Sequence, residues 1–287
     1  ILIIYFAVLI GIGLYCRKHA TDVNGFVLGG RSVGPWLTAF AYGTSYFSAV
    51  VFVGYAGQFG WKYGIAATWA GIGNAIIGSL LAWVVLGRRT RIMSQHLDSA
   101  TMPQYFGKRF GSNPLKIGAS VIIFIFLIPY TASLYNGLSR LFGMAFNIDY
   151  SVCIIIMATL TAIYVIAGGY MATAINDFIQ GIIMLFGIVA VIAAVIHSKG
   201  GFMSALQGLA NVSDPAVSDT PGIFASFFGP DPFNLLCVVI LTSLGTWGLP
   251  QMVQKFYAID NEASIQKGTV ISTIFALIVS GGCYFLG

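Results

Sequence analysis

An acidic residue inside an apolar stretch is the feature of this sequence best placed to take part in chemistry. Asp177 lies in GGYMATAINDFIQG, residues 168–181, between two long apolar runs, and it is one of nine acidic residues in a chain of 287. A carboxylate in such surroundings is unfavourable unless it meets a cation, a proton or an aqueous path. An ion site is therefore the leading interpretation. The alternatives are pairing with a nearby Lys or Arg, and interaction with the positive end of a helix, an effect that fades after the first turn.

Glycines and hydroxyl side chains interrupt two further apolar stretches. These are AYGTSYFSAVVFVGYAG at residues 41–57 and LTSLGTWGLPQ at residues 241–251. A helix in hydrocarbon satisfies its own backbone, so an interruption survives only where it is buried in protein or lines a wet cavity. We predict that both stretches unwind. The alternative is a pair of ordinary helices, in which the glycines serve packing and the hydroxyls bond back to their own helix.

The composition indicates the solvent in which these elements fold. Hydrophobic residues make up 57% of the chain and charged residues 8%, a balance that excludes a soluble domain with a wetted surface. A bilayer core of about 30 Å needs roughly 20 apolar residues per helix. Eight apolar runs lie near residues 1–16, 33–59, 64–87, 117–139, 150–168, 172–197, 233–253 and 269–287. We therefore predict an all-α integral membrane protein in a lipid bilayer.

The connections and chain ends give further expectations. Residues 198–232 are rich in Ser, Asp, Pro and Gly and are predicted to be a loop, whereas Pro103 is suited to the first turn of a short surface helix. The chain begins at Ile1 and stops at Gly287, each inside an apolar run, so it is expected to be a fragment. The first run lacks a preceding basic region, which favours an anchored helix over a signal peptide.

The basic residues predict the orientation, because cytoplasmic loops retain Lys and Arg. When the eight segments alternate across the bilayer, eleven basic residues fall on one side and three on the other. The larger group is Arg17, Lys18, Arg31, Arg88, Arg89, Arg91, Lys108, Arg109, Lys116, Lys255 and Lys267. This arrangement places the N-terminus outside a plasma (inner) membrane. The net charge of +5 is spread over separate loops and gives no support to nucleic-acid binding.

Other chemical classes find little support in the sequence. The four cysteines fall one to a segment and are interpreted as buried apolar residues. No grouping of His and Cys indicates a metal centre, and no Ser/His or paired-Asp arrangement indicates an intramembrane enzyme. In the third segment small residues recur every four positions, which predicts faces for close helix packing. They form two sets, Gly71, Ala75 and Ser79, and Asn74, Gly78 and Ala82.

The positions of the two interrupted stretches predict an internal symmetry. The seventh segment lies five segments after the second, and an odd number of spans reverses the direction of a helix. Repeats of five spans are then related by inverted topology, in which two broken helices meet at a binding site near the membrane midplane. The Thr44-Ser45 pair in one stretch and the Thr242-Ser243 pair in the other agree with this arrangement.

Five collinear stretches carry a resemblance to a known family. They are GGRSVGPWLTAFAYGTS at 29–45, TMPQYFGKRF at 101–110, IPYTASLYNGLSRLF at 128–142, GGYMATAINDFIQG at 168–181 and GLPQMVQKFYAID at 248–260. Together they resemble the sodium/solute symporter family, which includes the proline, pantothenate and sodium/glucose carriers. The resemblance implies the LeuT-type fold, with one helix before two inverted five-helix repeats. Residues 1–16 would be the extra helix, 33–197 the first repeat and 233–287 the start of a second, incomplete repeat.

The resemblance implies a sodium ion as the coupling ion and no other cofactor. By motif position, the main-chain carbonyls of Thr44 and Phe47 would be ligands of sodium, and carbonyls exposed by unwound backbone suit a hard cation. The hydroxyl ligands expected from the second repeat are not in this sequence. Asp177 matches the acidic residue of the family's TDxxQG motif, with Asn176 in place of the Thr. That residue is associated with sodium passage toward the cytoplasm and, in some members, with a second sodium site.

The resemblance also implies a substrate cavity. Thr242 and Thr246 stand where proline carriers have Trp and Tyr, and Tyr46 replaces an acidic residue, which argues against a proline carrier. A neutral cavity with hydroxyl donors would suit a small polar organic solute. The predicted substrate-binding residues are Ser45, Tyr46, Ser48, Tyr130, Thr242, Thr246 and Trp247.

The function that follows is secondary active transport. Sodium and the solute would enter the cell together by alternating access, which requires each to bind the alternating states with different affinity. The protein is therefore not expected to be an enzyme. The alternative is a sensory membrane domain of a larger signalling protein, because some domains of this kind are fused to histidine kinases.

Overall fold

The fold is built from helices. The computed structural model describes residues 2–48 and 50–287, and no strand is formed within these ranges. The α-helices are α1 (Leu2–Cys16), α2 (Val23–Leu28), α3 (Pro35–Tyr46), α4 (Ala56–Tyr63), α5 (Thr68–Gly73), α6 (Arg88–His96), α7 (Met102–Phe110), α8 (Asn113–Phe146), α9 (Tyr150–Ser198), α10 (Phe202–Ala210), α11 (Pro232–Leu244), α12 (Pro250–Ala258) and α13 (Glu262–Leu286). Wider π-helical turns at Val50–Tyr55, Asn74–Leu81 and Trp83–Gly87 connect α3 to α4 and α5 to α6.

The helices match the eight apolar runs. In the described part of the chain, four helical stretches are long and apolar enough to cross a bilayer: Ala56–His96, Asn113–Phe146, Tyr150–Ser198 and Glu262–Leu286. The fifth and sixth runs are both contained in α9, where Gly169 has φ 57° and ψ −149° and separates two helical arms. Only glycine adopts this conformation readily. A side chain at Gly169 would also lie 2.7 Å from the carbonyl oxygen of Phe26, so the turn is closed tightly against α2.

Two connections bear on the predictions for the loops. Thr101 caps α7 by accepting a hydrogen bond from the Gln104 amide at 3.4 Å, and Pro103 lies in the first turn of this short helix as predicted. The prediction that residues 198–232 are a loop was only partly right. Phe202–Ala210 forms α10, and the apolar residues in this stretch pack near the ends of α9 and α13.

The core lies around α13, which packs against α3, α5 and α9. Buried aromatic rings fill the space between the helices, with ring centroids 5.6 Å apart for Tyr42 and Trp83 and 5.1 Å apart for Phe40 and Phe275. Close approach of α5 to α13 depends on glycine, because a Cβ at Gly71 would lie 2.6 Å from the Cα of Gly281. The predicted packing face of small residues therefore meets α13.

Basic residues predicted to lie in loops instead join distant parts of the chain. Arg31 donates to the carbonyl oxygen of Ser99 at 2.9 Å, to the hydroxyl of Ser94 at 3.2 Å and to the carbonyl oxygen of Tyr257 at 3.2 Å. Burial lowers the pKa of the Arg31 guanidinium and the nearby Asp98 carboxylate opposes this, so the group stays charged. This contact ties the segment before α3 to the ends of α6 and α12.

A second arginine strengthens the same junction. Arg91 is 5% exposed and donates to the carbonyl oxygen of Ile259 at 2.6 Å and to that of Asp260 at 2.9 Å. The Val33 amide donates to the Ala258 carbonyl at 3.3 Å, and the Asp260 amide donates to the Val33 carbonyl at 3.1 Å. Counting Arg91 as a loop charge was therefore wrong, because its charge satisfies buried carbonyl groups.

We expect Arg31→Lys to lower the free energy of unfolding by about 1–3 kcal/mol, because a single ammonium group cannot reproduce the fork that reaches four acceptors, three carbonyl oxygens and one hydroxyl. The backbone at position 31 has a positive φ of 56°, which is equally unfavourable for Arg and for Lys. The substitution therefore tests the loss of hydrogen bonds and not a change in backbone strain. Thermal unfolding of the full-length protein in detergent checks this, with Arg89→Lys as the control at an exposed position. Equal melting temperatures for the two variants would contradict the expectation.

Candidate functional site

Both predicted interruptions are present. The helix α3 ends where the Phe47 amide donates to the Gly43 carbonyl at 2.9 Å, and Phe47 leaves the helical region with φ −97° and ψ 66°. The helix α11 ends where the Gly245 amide donates to the Leu241 carbonyl at 3.0 Å, and the helix resumes at Pro250, which lacks an amide hydrogen. The Gly245–Leu249 segment forms the turns that connect α11 to α12.

The hydroxyl groups of these stretches behave partly as the alternative interpretation expected. Thr44 bonds back to the carbonyl oxygen of Phe40 at 2.9 Å, and Thr242 bonds back to that of Val238 at 2.9 Å. Interruption and back-bonding therefore occur together. The hydroxyls that end each helix remain close to the break, where they can change partner.

A cavity of about 240 Å³ lies between the two breaks. It is smaller than the range of about 300–1,000 Å³ found for drug-sized ligands, so it fits a small solute. Every described residue on its wall is uncharged. The wall contains six of the residues predicted to bind substrate: Ser45, Tyr46, Ser48, Tyr130, Thr242 and Thr246. The structure thus brings together side chains from α3, α8 and α11 that are far apart in the sequence.

Trp247 lies outside the wall of this cavity. Its indole N–H donates to the carbonyl oxygen of Ile77 at 3.0 Å, and its ring packs against the aromatic core. Ile77 belongs to the π-helical stretch after α5, where backbone hydrogen bonding is irregular. Trp247 therefore fixes the position of the second break against the third segment.

Asn74 is a site residue that the sequence analysis assigned only to a packing face. Its side chain is 1% exposed and lines the cavity. Its carbonyl oxygen Oδ1 lies 3.2 Å from the Tyr46 hydroxyl, 3.0 Å from that of Thr242 and 3.1 Å from that of Ser243. Its amide nitrogen Nδ2 donates to the Ser280 hydroxyl at 3.3 Å on α13. One carboxamide thus links both broken helices to α13. A lone amide within an apolar segment was the signal for this role.

The hydrogen bonds around Asn74 leave the cavity adaptable. A carbonyl oxygen has two lone pairs, so three hydroxyls cannot all donate to Asn74 at once. The Tyr46 hydroxyl has a second acceptor, the Thr242 carbonyl oxygen at 2.9 Å, and the Thr242 hydroxyl has the Val238 carbonyl. The hydroxyl of Tyr284, which also lines the cavity, has no hydrogen-bond partner among the described residues. Several donors can therefore turn toward a bound solute without leaving a buried group unpaired.

Asp177 lies apart from the wall of the cavity and forms an ion pair. Its Oδ2 is 3.6 Å from Nζ of Lys255 on α12, so the carboxylate has a nearby Lys as its partner. Counting Lys255 as a loop charge was wrong, because the residue is 7% exposed. Phe178, next to Asp177, packs its ring against that of Phe40, one helical turn before Thr44, with ring centroids 4.8 Å apart, so α9 brings Asp177 beside α3. Phe47 is 1% exposed and packs in the aromatic core.

The structure also shows where the cysteines and the candidate metal-binding side chains lie. Cys16, Cys153 and Cys283 are buried, whereas Cys237 is exposed, so the prediction of buried cysteines holds for three of the four. In the described part of the chain, no group of His, Cys, Asp and Glu is arranged to hold a metal ion.

These features define a class, a multi-pass membrane protein in which two interrupted helices meet at a small polar cavity. The family model described as the sodium:solute symporter family matches residues 26–287, and the chain belongs to this family. Among similar proteins are the osmoregulated proline transporter OpuE of Bacillus subtilis (strain 168), 30% identical over 287 residues, and the sodium/proline symporter of Staphylococcus aureus (strain JH9), 32% identical over 278 residues. The matches cover 99% and 92% of this chain but 56% and 50% of the relatives, so the chain spans about half their length.

A solved structure shows the same fold. It is the substrate-bound outward-open state of a Na+-coupled sialic acid symporter, with a TM-score of 0.76, 17% sequence identity and coverage of 98% of this chain and 57% of that chain. The predicted all-α, LeuT-type fold is thus confirmed, whereas the division into inverted repeats stays a prediction. The relatives are named as transporters, which agrees with the expectation of a protein that is not an enzyme.

Proposed function

We propose that this protein is a secondary active transporter that couples sodium to the uptake of a small polar organic solute by alternating access. The observation that carries the proposal is the cavity of about 240 Å³ at the meeting point of two broken helices, with hydroxyl and carboxamide groups on its wall. A site shared by two interrupted helices is accessible from either side when the surrounding helices rearrange. The sodium-coupled names of relatives and of the structural neighbour support the same function.

The proposed sodium site is the end of α3. The carbonyl groups of Thr44 and Phe47 lie where the helix stops, and an unwound carbonyl is a suitable ligand for a hard cation. Asp177 is proposed to attract sodium along its path, because it places a carboxylate on the arm of α9 that packs against α3. In this proposal the extra helix is 1–16, the first repeat is 33–197 and the second repeat begins at 233. The protein lies in the plasma membrane with its N-terminus outside.

The substrate is proposed to be a small solute without a strong net charge. The described wall carries no charged side chain to balance one, and a buried unpaired ion is highly unfavourable. The named relatives include proline transporters, but Tyr46 and Thr242 place hydroxyl groups where the pattern of proline carriers has an acidic residue and Trp. Neutral or zwitterionic compounds with several hydrogen-bonding groups fit it best.

Uptake by the full-length protein in proteoliposomes tests the proposal. A labelled panel of amino acids, sugars, pantothenate and short monocarboxylates is offered with an inward sodium gradient, and choline replaces sodium in the control. Uptake of one compound only with sodium is the expected result and identifies the substrate class. Equal uptake of that compound in choline would contradict the sodium coupling, and no uptake of any compound would favour the sensory alternative.

A further inference from the structure

The ion pair between Asp177 and Lys255 joins two elements that belong to different proposed repeats. Asp177 lies on the second arm of α9, and Lys255 lies on α12, beyond the second break. The two side chains are 22% and 8% exposed, so the lysine is the more deeply buried partner. Such a pair is unfavourable to break from one side only, because the remaining charge stays uncompensated.

The geometry of the pair is loose. An ammonium-to-carboxylate hydrogen bond is usually about 2.7–2.9 Å long, whereas these atoms are 3.6 Å apart. Among the described residues, Lys255 donates no side-chain hydrogen bond, and its other close partner is the ring of Tyr170, whose centroid is 5.0 Å from Nζ. A lysine carries a compact charge on a flexible four-carbon stem. Nζ can therefore move from Asp177 toward the ring face without leaving its pocket.

The position of Asp177 connects this pair to the proposed sodium site. The ring of Phe178, the residue after Asp177, packs 4.8 Å from that of Phe40, one helical turn before Thr44 on α3. Asp177 therefore lies beside the part of α3 whose Thr44 carbonyl is one of the proposed sodium ligands. A sodium ion there and the ammonium group of Lys255 would share one negative charge. Two cations beside a single buried carboxylate repel each other strongly, because the interior screens charge less than water does.

We propose that Lys255 is a tethered cation that competes with sodium for Asp177. This inference rests on the proposed function. Sodium pairs with the Asp177 carboxylate only when Nζ of Lys255 moves away, and the return of Nζ weakens the binding of sodium. Lys255 is thus a positioning residue that lowers the sodium affinity and favours release. While the pair is closed, Asp177 provides no second sodium site.

Equilibrium binding of radioactive sodium to the purified full-length protein tests the competition without any need to know the solute. We expect Lys255→Gln to tighten sodium binding on the order of 10-fold, within the usual range of coupling between two ligands. Lys255→Arg should weaken it several-fold, because a guanidinium fork holds a carboxylate more firmly. Lys267→Gln, which removes the same charge from an exposed position of α13, should leave the affinity unchanged.

Two further results separate competition from a merely structural pair. In the Asp177→Asn background, Lys255→Gln should no longer tighten sodium binding. Unchanged or weaker sodium binding in Lys255→Gln would overturn the inference. Lys255→Arg keeps the charge and so provides a second test if Lys255→Gln fails to fold. Unchanged sodium binding in Lys255→Arg would overturn the inference as well. If the wild type bound no sodium, the proposed sodium coupling itself would be wrong and the competition with it. If the wild type bound sodium and the Lys255 variants bound it equally well, the competition would be wrong while the proposed sodium coupling would stand.

Discussion

Asn74→Ala is expected to reduce sodium-dependent uptake by about 100-fold. The change removes the acceptor that the Ser243 hydroxyl uses at 3.1 Å and the donor that reaches Ser280 at 3.3 Å. A buried polar group left without its partner is destabilised by about 1–3 kcal/mol, and about 2.7 kcal/mol corresponds to a factor of 100 in rate. Because Asn74 links α11 to α13 beside the cavity, we expect the loss to fall on solute binding and transport.

The measurement is uptake by the full-length protein in proteoliposomes, with the compound identified by the panel. Ser79→Ala is the matched control, since Ser79 lies on the same helical stretch and forms a buried hydroxyl pair with Ser272 at 2.8 Å away from the wall of the cavity. A general loss of packing would affect both variants alike. Wild-type uptake in Asn74→Ala would show that the carboxamide has no part in the site.

Asp177→Asn is expected to raise the sodium concentration needed for half-maximal uptake on the order of 10-fold. The amide keeps the shape of the side chain but removes its charge and leaves Lys255 unpaired at 8% exposure. The lysine charge would then repel sodium without compensation. Sodium activation curves at constant ionic strength, with choline as the replacement, measure the change.

Asp219→Asn serves as the control for this prediction, because Asp219 is exposed in the segment between α10 and α11. Its activation curve should coincide with that of the wild type. If the curve of Asp177→Asn were also unchanged, Asp177 would have no role in the path of sodium. Its pairing with Lys255 would then serve the fold alone.

The sequence predicts the breaks well because few structures accommodate such residues in hydrocarbon. Glycine and hydroxyl side chains around Thr44 and Thr242 permit the backbone to unwind only beside a wet or buried site, and the structure places both breaks at one cavity. The type of each residue, together with its depth in an apolar run, was sufficient for this prediction.

Contacts across the chain could not be predicted in the same way. Asn74 and Ser280 are 206 positions apart, and nothing in helical periodicity indicates that they meet. Lys255 resembles a loop charge in the sequence, although it lies within α12, a helix that begins at Pro250, and its side chain pairs with Asp177. The prediction of a loop at 198–232 missed α10 for a related reason, because average composition hides a short apolar helix within a polar segment.

The junction that Arg31 and Arg91 form beside Val33 has a mechanical consequence. The backbone hydrogen bonds of Val33 with Ala258 and Asp260 hold the beginning of α3 against the end of α12. These two arms of the broken helices are therefore expected to move as one rigid body. Any change in their orientation relative to α4 and α11 must be absorbed at the two breaks, which lie at Phe47 and in the Gly245–Leu249 segment.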